Sequence, residues 1–210
     1  MNTITALRES GRTKKQVNLF LDGRYAFSLE KNNITKQGLE VGMELSNSRL
    51  DELKDSLRYA RCLNAAYRYL SYRPRSESEL RDRLHRRGFP VEHINKVIEK
   101  LKEQRLLDDE AFARFWAENR ASFRPRSRQM TRRELLKKGV GKEAISQAVN
   151  EIDETESAYN AAVARARRLQ NLEYREFRQR LAEFLRRRGF TYDTINQTIR
   201  RVWQEMKNEQ

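Results

Sequence analysis

The sequence predicts a mainly α-helical fold: tandem three-helix repeats in an elongated array, preceded by a small antiparallel β-hairpin region. Three observations carry this prediction. First, Tyr72-Arg-Pro-Arg-Ser76 recurs as Phe123-Arg-Pro-Arg-Ser127, so that Pro74 and Pro125 lie 51 residues apart. Second, Gly88 and Gly139 share that spacing, and Gly189 follows 50 residues later. A fixed period of this length is the mark of repeat architecture. Third, apolar residues between these points fall three and four apart, the spacing of one helix face.

Residues 1–47 read differently from the rest. Gln16-Val-Asn-Leu-Phe-Leu21 meets Asp22-Gly23, a favoured dipeptide for a tight hairpin turn, and Arg24-Tyr-Ala-Phe-Ser-Leu29 returns. With a strand begun by Ile4, Ala6 and Arg8, this makes a small antiparallel sheet of two or three strands. Its apolar face (Val17, Leu19, Leu21, Tyr25, Phe27, Leu29) needs a cover, since an isolated hairpin is marginal in water. The helix that follows can supply it. Lys31 to Leu45 forms a short helix or turn and a connector.

The first repeat spans 48–104. Asn47 or Ser48 caps a helix that runs to Tyr72 and ends at Arg73-Pro74, because the residue before proline disfavours helical backbone. Ser76 and Glu79 form a capping box for the next helix, which Gly88 stops. Pro90 opens a third helix, with Ile94, Val97, Ile98 and Leu101 facing inward. The second repeat, 105–153, starts at a cap on Asp108 or Asp109 and repeats the order through Pro125, Leu135 and Gly139. The third, 154–210, keeps the packing pattern through Phe177, Leu181 and Gly189, with Leu172-Glu-Tyr-Arg in place of the proline turn. Tyr72 and Phe123, directly before the two turns, are expected to anchor them.

Of the 210 residues, 38% are hydrophobic and 35% charged, with a mean hydropathy of −0.95. That is lean for one globular core and suits modules that lean on their neighbours. Net charge is +14. The basic excess is three in 1–50, four in 51–100, two in 101–155 and five in 156–210, so no single tail accounts for it. A distributed excess points to a long anionic partner. Cys62 is the only cysteine, which permits no intrachain disulfide and suits a reducing compartment. With neither a membrane-length apolar stretch nor a signal-peptide core, the expectation is a cytoplasmic protein.

Catalytic patterns are missing. His85 and His93 are separated by the glycine turn, and the sequence holds no phosphate-binding glycine loop, zinc-protease motif or serine elbow. Asp108, Asp109 and Glu110 stand where helix-capping acids belong. The expectation is therefore no enzyme, no cofactor and no metal. The basic clusters say more. Arg73, Arg75, Arg81, Arg86 and Arg87 surround the first turn. Arg124, Arg126, Arg128, Arg132, Arg133, Lys137 and Lys138 surround the second, and Arg186, Arg187 and Arg188 end the third repeat's middle helix. These are the candidate partner or DNA contacts, since a guanidinium fork suits phosphate and carboxylate alike. The competing reading is a solvated helix face linked to Glu77, Glu79 and Glu134.

Tyr72-Arg-Pro-Arg-Ser-Glu-Ser-Glu-Leu80, Leu84-His-Arg-Arg-Gly-Phe89 and Leu106-Leu-Asp-Asp-Glu-Ala-Phe-Ala-Arg114 resemble the signature of the bacterial RecX family, regulatory proteins of the RecA recombinase. Arg124-Pro-Arg-Ser-Arg128 with Leu135-Leu-Lys-Lys-Gly139 is similar to that family's next repeat, and the likeness covers about residues 55–205. The resemblance implies a non-enzymatic regulator in DNA recombination, repair and the SOS response. Such proteins bind RecA and its filament on single- or double-stranded DNA, and typically inhibit strand exchange and ATP hydrolysis. A monomer is expected. The alternative is a DNA-binding protein that acts on nucleic acid alone. Reversing Arg124 together with Arg126 is the test the sequence recommends.

Overall fold

A computed structural model describes residues 2–10 and 16–208. Its elements follow one another as β1 (Asn2–Glu9), β2 (Gln16–Leu21), β3 (Arg24–Glu30), α1 (Lys31–Gln37), β4 (Glu44–Leu45) and α2 (Asn47–Leu70). Then come α3 (Glu77–His85), α4 (Val91–Glu103), α5 (Asp109–Phe123), α6 (Arg128–Lys137), α7 (Lys142–Asn150), α8 (Glu154–Ala166), α9 (Tyr174–Arg187) and α10 (Tyr192–Asn208). The chain divides into two compact units, 1–65 and 66–210.

In the first unit the sheet has four antiparallel strands in the order β3-β2-β1-β4, one more than the sequence showed. The extra strand, β4, is two residues long and has no alternating pattern to read. Asp22 and Gly23 both have positive φ, +48° and +78°, as a tight hairpin requires. Val17, Leu19, Phe27 and Leu29 are buried as expected. Tyr25 is not: it is 58% exposed. The β2–β3 register shifts between Leu19 and Phe20, leaving Tyr25 opposite Phe20, and their rings meet edge to face at 6.0 Å. One bulge residue moves everything beyond it to the other face. Leu50, Leu53 and Leu57 of α2 provide the cover, in one cluster with Ile4, Leu19 and Phe27. Ser46, rather than Asn47 or Ser48, caps α2, its Oγ accepting the Arg49 N–H at 3.1 Å. Cys62 is fully buried, and burial pushes its thiol up to about 11, so it serves as a packing residue.

The second unit holds the second and third repeats and the first repeat from the end of α2 onward. Each middle helix (α3, α6, α9) buries a pair of leucines or their equivalents: Leu80 and Leu84, Thr131 and Leu135, Leu181 and Leu185. Each stops at a glycine with φ between +73° and +86°, where the next N–H reaches back five residues: Phe89 to Leu84, Val140 to Leu135, Phe190 to Leu185. Ser76 and Ser127 cap α3 and α6 by accepting from the N–H groups of Glu79 and Met130. Glu79 does not turn back to close the expected box; its carboxylate points to Arg73 and Lys138.

Tyr72 and Phe123 anchor nothing. They are 75% and 77% exposed, which corrects the expectation. α2 ends at Leu70 and α5 at Phe123, so these side chains stand where the helix face that would bury them has run out.

Candidate functional site

The Arg-Pro-Arg-Ser turns are joints between repeats. Ser76 Oγ donates to the Lys138 carbonyl at 2.6 Å while accepting the Glu79 N–H at 3.2 Å. One hydroxyl thereby caps the start of α3 and satisfies a carbonyl at the end of α6. Arg73 grips Glu79 with two hydrogen bonds, 3.1 and 3.2 Å, and Lys138 Nζ reaches the same carboxylate from the next repeat at 2.7 Å. Gly139 is pressed so closely on α3 that an added Cβ would lie 2.3 Å from Ser78 Cβ.

The second joint repeats the plan one module later. The Ser127 N–H donates to the Arg188 carbonyl at 3.1 Å, and Arg188 Nη1 donates to the Pro125 carbonyl at 3.2 Å. Gly189 sits against Ser127 Oγ, 2.6 Å from where its Cβ would be. The third repeat has neither the turn nor a side-chain cap on α9. Gly88, in the first repeat, has open space where Gly139 and Gly189 meet a neighbour.

This plan sorts the candidate cations. Arg73, Arg75, Arg81, Arg126, Lys138 and Arg188 are half-buried and engaged within the unit. Arg75 lies over the Tyr69 ring at 4.1 Å, and Arg81 bonds Glu77 and Asn95 at 2.6 Å each. Arg126 pairs with Glu134 at 2.5 Å, and Arg120 Nε and Trp116 Nε1 donate to the same carboxylate at 2.7 and 2.9 Å. Arg188 covers the Phe184 ring at 4.3 Å. Salt links to Glu77, Glu79 and Glu134 thus account for several of these residues. Arg128 is exposed and donates from Nε to the Ile152 carbonyl, Arg86 is exposed with Nε on the Asp82 carbonyl, and Arg132 is half-buried. Arg87, Arg124, Arg133, Lys137, Arg186 and Arg187 are exposed. Arg86, Lys137 and Arg187 occupy one equivalent position in the three repeats, and all three face solvent. The neighbouring position, Arg87, Lys138 and Arg188, turns inward wherever a preceding repeat receives it. Sequence reading missed Arg120 and Trp116 as partners of Glu134, because neither lies in a turn motif.

Burial alone would raise the Glu79 carboxyl, but Arg73 and Lys138 outweigh it and hold the group below its ordinary value. A depressed carboxylate contributes stability above its unfolded pKa and loses it as pH falls through the folded value. The urea midpoint of Glu79→Gln should therefore fall well short of the parent's at pH 7. The gap should close as pH drops below 4.5, the ordinary value of the group. A gap that does not narrow at all as pH falls below 4.5 would contradict the ionic account of the joint.

The acids of the α5 start are committed to backbone. Asp108 accepts the N–H groups of Glu110 and Ala111, and Asp109 accepts that of Glu77 at 2.8 Å, so that α5 caps α3 as well as itself. Among the described residues no group of three or more His, Cys, Asp or Glu could hold a metal ion, and no helix is long and apolar enough to cross a membrane. His93 is buried on α4.

Structure and site define a class first: a small antiparallel sheet followed by basic three-helix modules, joined serine to glycine, with several arginines exposed. Family models match along the chain in that order: the N-terminal domain of regulatory protein RecX at 2–46, then its first, second and third three-helix domains at 62–101, 108–149 and 151–199. The chain belongs to the RecX family, non-enzymatic regulatory proteins of DNA recombination and repair associated with the RecA recombinase. It is 30% identical over 205 residues to regulatory protein RecX of Clostridium botulinum (strain Alaska E43 / Type E3), covering 95% of this chain and 96% of that one. It is also 30% identical to that of Bacillus velezensis, covering 100% and 81%. A crystal structure of regulatory protein RecX superposes with a TM-score of 0.67 at 25% identity, over 93% of this chain and 98% of that one. RecX from Lactobacillus salivarius gives 0.60 at 25% identity, over 70% and 97%.

Proposed function

We propose that this chain binds the RecA nucleoprotein filament on DNA as a monomer in the cytoplasm and inhibits strand exchange and the coupled ATP hydrolysis. The observation that carries the reading is the exposed cation that recurs in each repeat, Arg86, Lys137 and Arg187, in a chain of this family. Arg87, Arg124, Arg128, Arg132, Arg133 and Arg186 extend that set. Contacts repeated once per module suit a partner that itself repeats, and several weak contacts made by one molecule sum through effective concentration. The cations engaged at the joints hold the modules in register so that the outward ones act together.

The test is DNA-dependent ATP hydrolysis by RecA on preformed filaments, with and without this protein. Hydrolysis should fall to a small fraction at saturating protein. An unchanged rate at saturation would overturn the reading.

A further inference from the structure

The two joints are built to one plan and differ in charge. At the first, α3 carries Glu77 and Glu79 in its opening turn, and Glu79 fills the space between Arg73 and Lys138. At the second, the equivalent positions of α6 are Arg128 and Met130, and no acid stands in that turn. Arginine in the place of Glu77 and methionine in the place of Glu79 add three positive charge units to the opening turn, while Glu134, in the place of Arg83, returns two further along the helix and is taken up by Arg126. The cations remain. Arg188 occupies the place of Lys138, with its guanidinium on the Pro125 carbonyl, between Arg124 and Arg126. Met130 Cβ lies 3.2 Å from where a Cβ on Gly189 would be, so the uncharged side chain stands at the joint itself.

We propose that the second joint is an anion site, formed by Arg124, Arg126 and Arg188 at the start of α6, that takes one backbone phosphate of a nucleic acid in the place its twin gives to Glu79. Donors outnumber acceptors there. Arg126 keeps a buried Nε–H with no hydrogen-bond partner, as its twin Arg75 does at the first joint, and Arg188 adds a second, although Glu134 and the Pro125 carbonyl occupy other nitrogens of the two groups. Burial first, and then the like charges of Arg126 and Arg124, lower the pKa of the Arg188 guanidinium. A single anion relieves this repulsion. The N-terminal dipole of α6, which no acidic side chain answers, adds to the attraction. Phosphate is preferred to a protein carboxylate because Arg124 is exposed and Arg128, Arg186 and Arg187 widen the positive rim, a surface suited to a continuous polyanion. The inference rests on the proposed filament contact and names one site within it.

The test restores the missing acid. Met130→Glu should supply the joint with its own carboxylate, leave the urea midpoint unchanged or higher, and weaken binding of a fluorescent oligonucleotide, without recombinase, by about fivefold. It should also lower the slope of log K against log salt by about one. Met130→Gln, of similar shape without charge, should bind as the parent does. Gln179→Glu, an exposed site about 13 Å along α9 from Arg188, makes the same charge change beyond a Debye length and should change little. Equal losses in Met130→Glu and Gln179→Glu, or no loss in either, would overturn the site. Intact oligonucleotide binding with weakened filament binding would reassign it to an acidic protein group and also overturn the proposal. Since the assay contains no recombinase, its failure leaves filament regulation standing, and the ATPase assay can fail without touching this result.

Discussion

Gly139→Ala should destabilise the protein by about 3 kcal/mol, and Gly88→Ala by about 1. Both glycines end a middle helix in left-handed backbone, φ +73° and +78°, so both variants carry the strain of an L side chain there. They differ in surroundings. The new Cβ at 139 would lie 2.3 Å from Ser78 Cβ on another repeat, whereas the one at 88 meets nothing within 4 Å. The excess of about 2 kcal/mol is the cost of forcing the joint apart. Adding Ser78→Gly to Gly139→Ala removes the opposing atom and should recover most of that excess. Urea denaturation followed by circular dichroism measures all three. Equal costs at 88 and 139 would mean that the close approach contributes nothing.

Glu134→Ala should cost about 3 kcal/mol, the penalty of removing one partner from a largely buried ionic group. Its carboxylate is 15% exposed and receives Arg120, Arg126 and Trp116, all of which lose their acceptor. Arg126→Glu should be as damaging, because it sets two carboxylates face to face. Arg133→Glu, on the exposed side of the same helix, should shift stability by less than about 0.5 kcal/mol. Charge reversal of Arg124 with Arg126, which the sequence recommends as a test of partner binding, is thus confounded by a folding defect. An unaltered midpoint in Glu134→Ala would sink the joint account of Arg126.

Much of this was legible in the chain. The 51-residue spacing, the capping serines and the helix-ending glycines each follow from local backbone chemistry, and each stands where the sequence put it. Which turn meets which glycine was not legible, for a physical reason. In a periodic chain both halves of a joint recur with every repeat, so pairing within a repeat and pairing with the next one leave the same spacing. Only the third dimension shows Ser76 on Lys138, 62 residues away. The arginines were read as one class for the same cause: Lys137 and Lys138 are adjacent in sequence, yet one faces solvent and the other enters the joint. Tyr25 failed as a core residue because a bulge broke the alternation that placed it, and Tyr72 and Phe123 failed as anchors because each stands where its helix ends.

On the proposed function, outward cations at one repeated position contact the recombinase filament, while joint cations hold the array together and those of the second joint also face the proposed phosphate. The triple variant Arg86→Glu, Lys137→Glu, Arg187→Glu tests it in the recombinase ATPase assay, with the urea midpoint measured alongside. The variant should keep a parent-like midpoint and need at least about tenfold more protein for half-inhibition, three lost charge contacts at a modest free energy each. Inhibition at the parent's concentration, from a variant that folds normally, would contradict it.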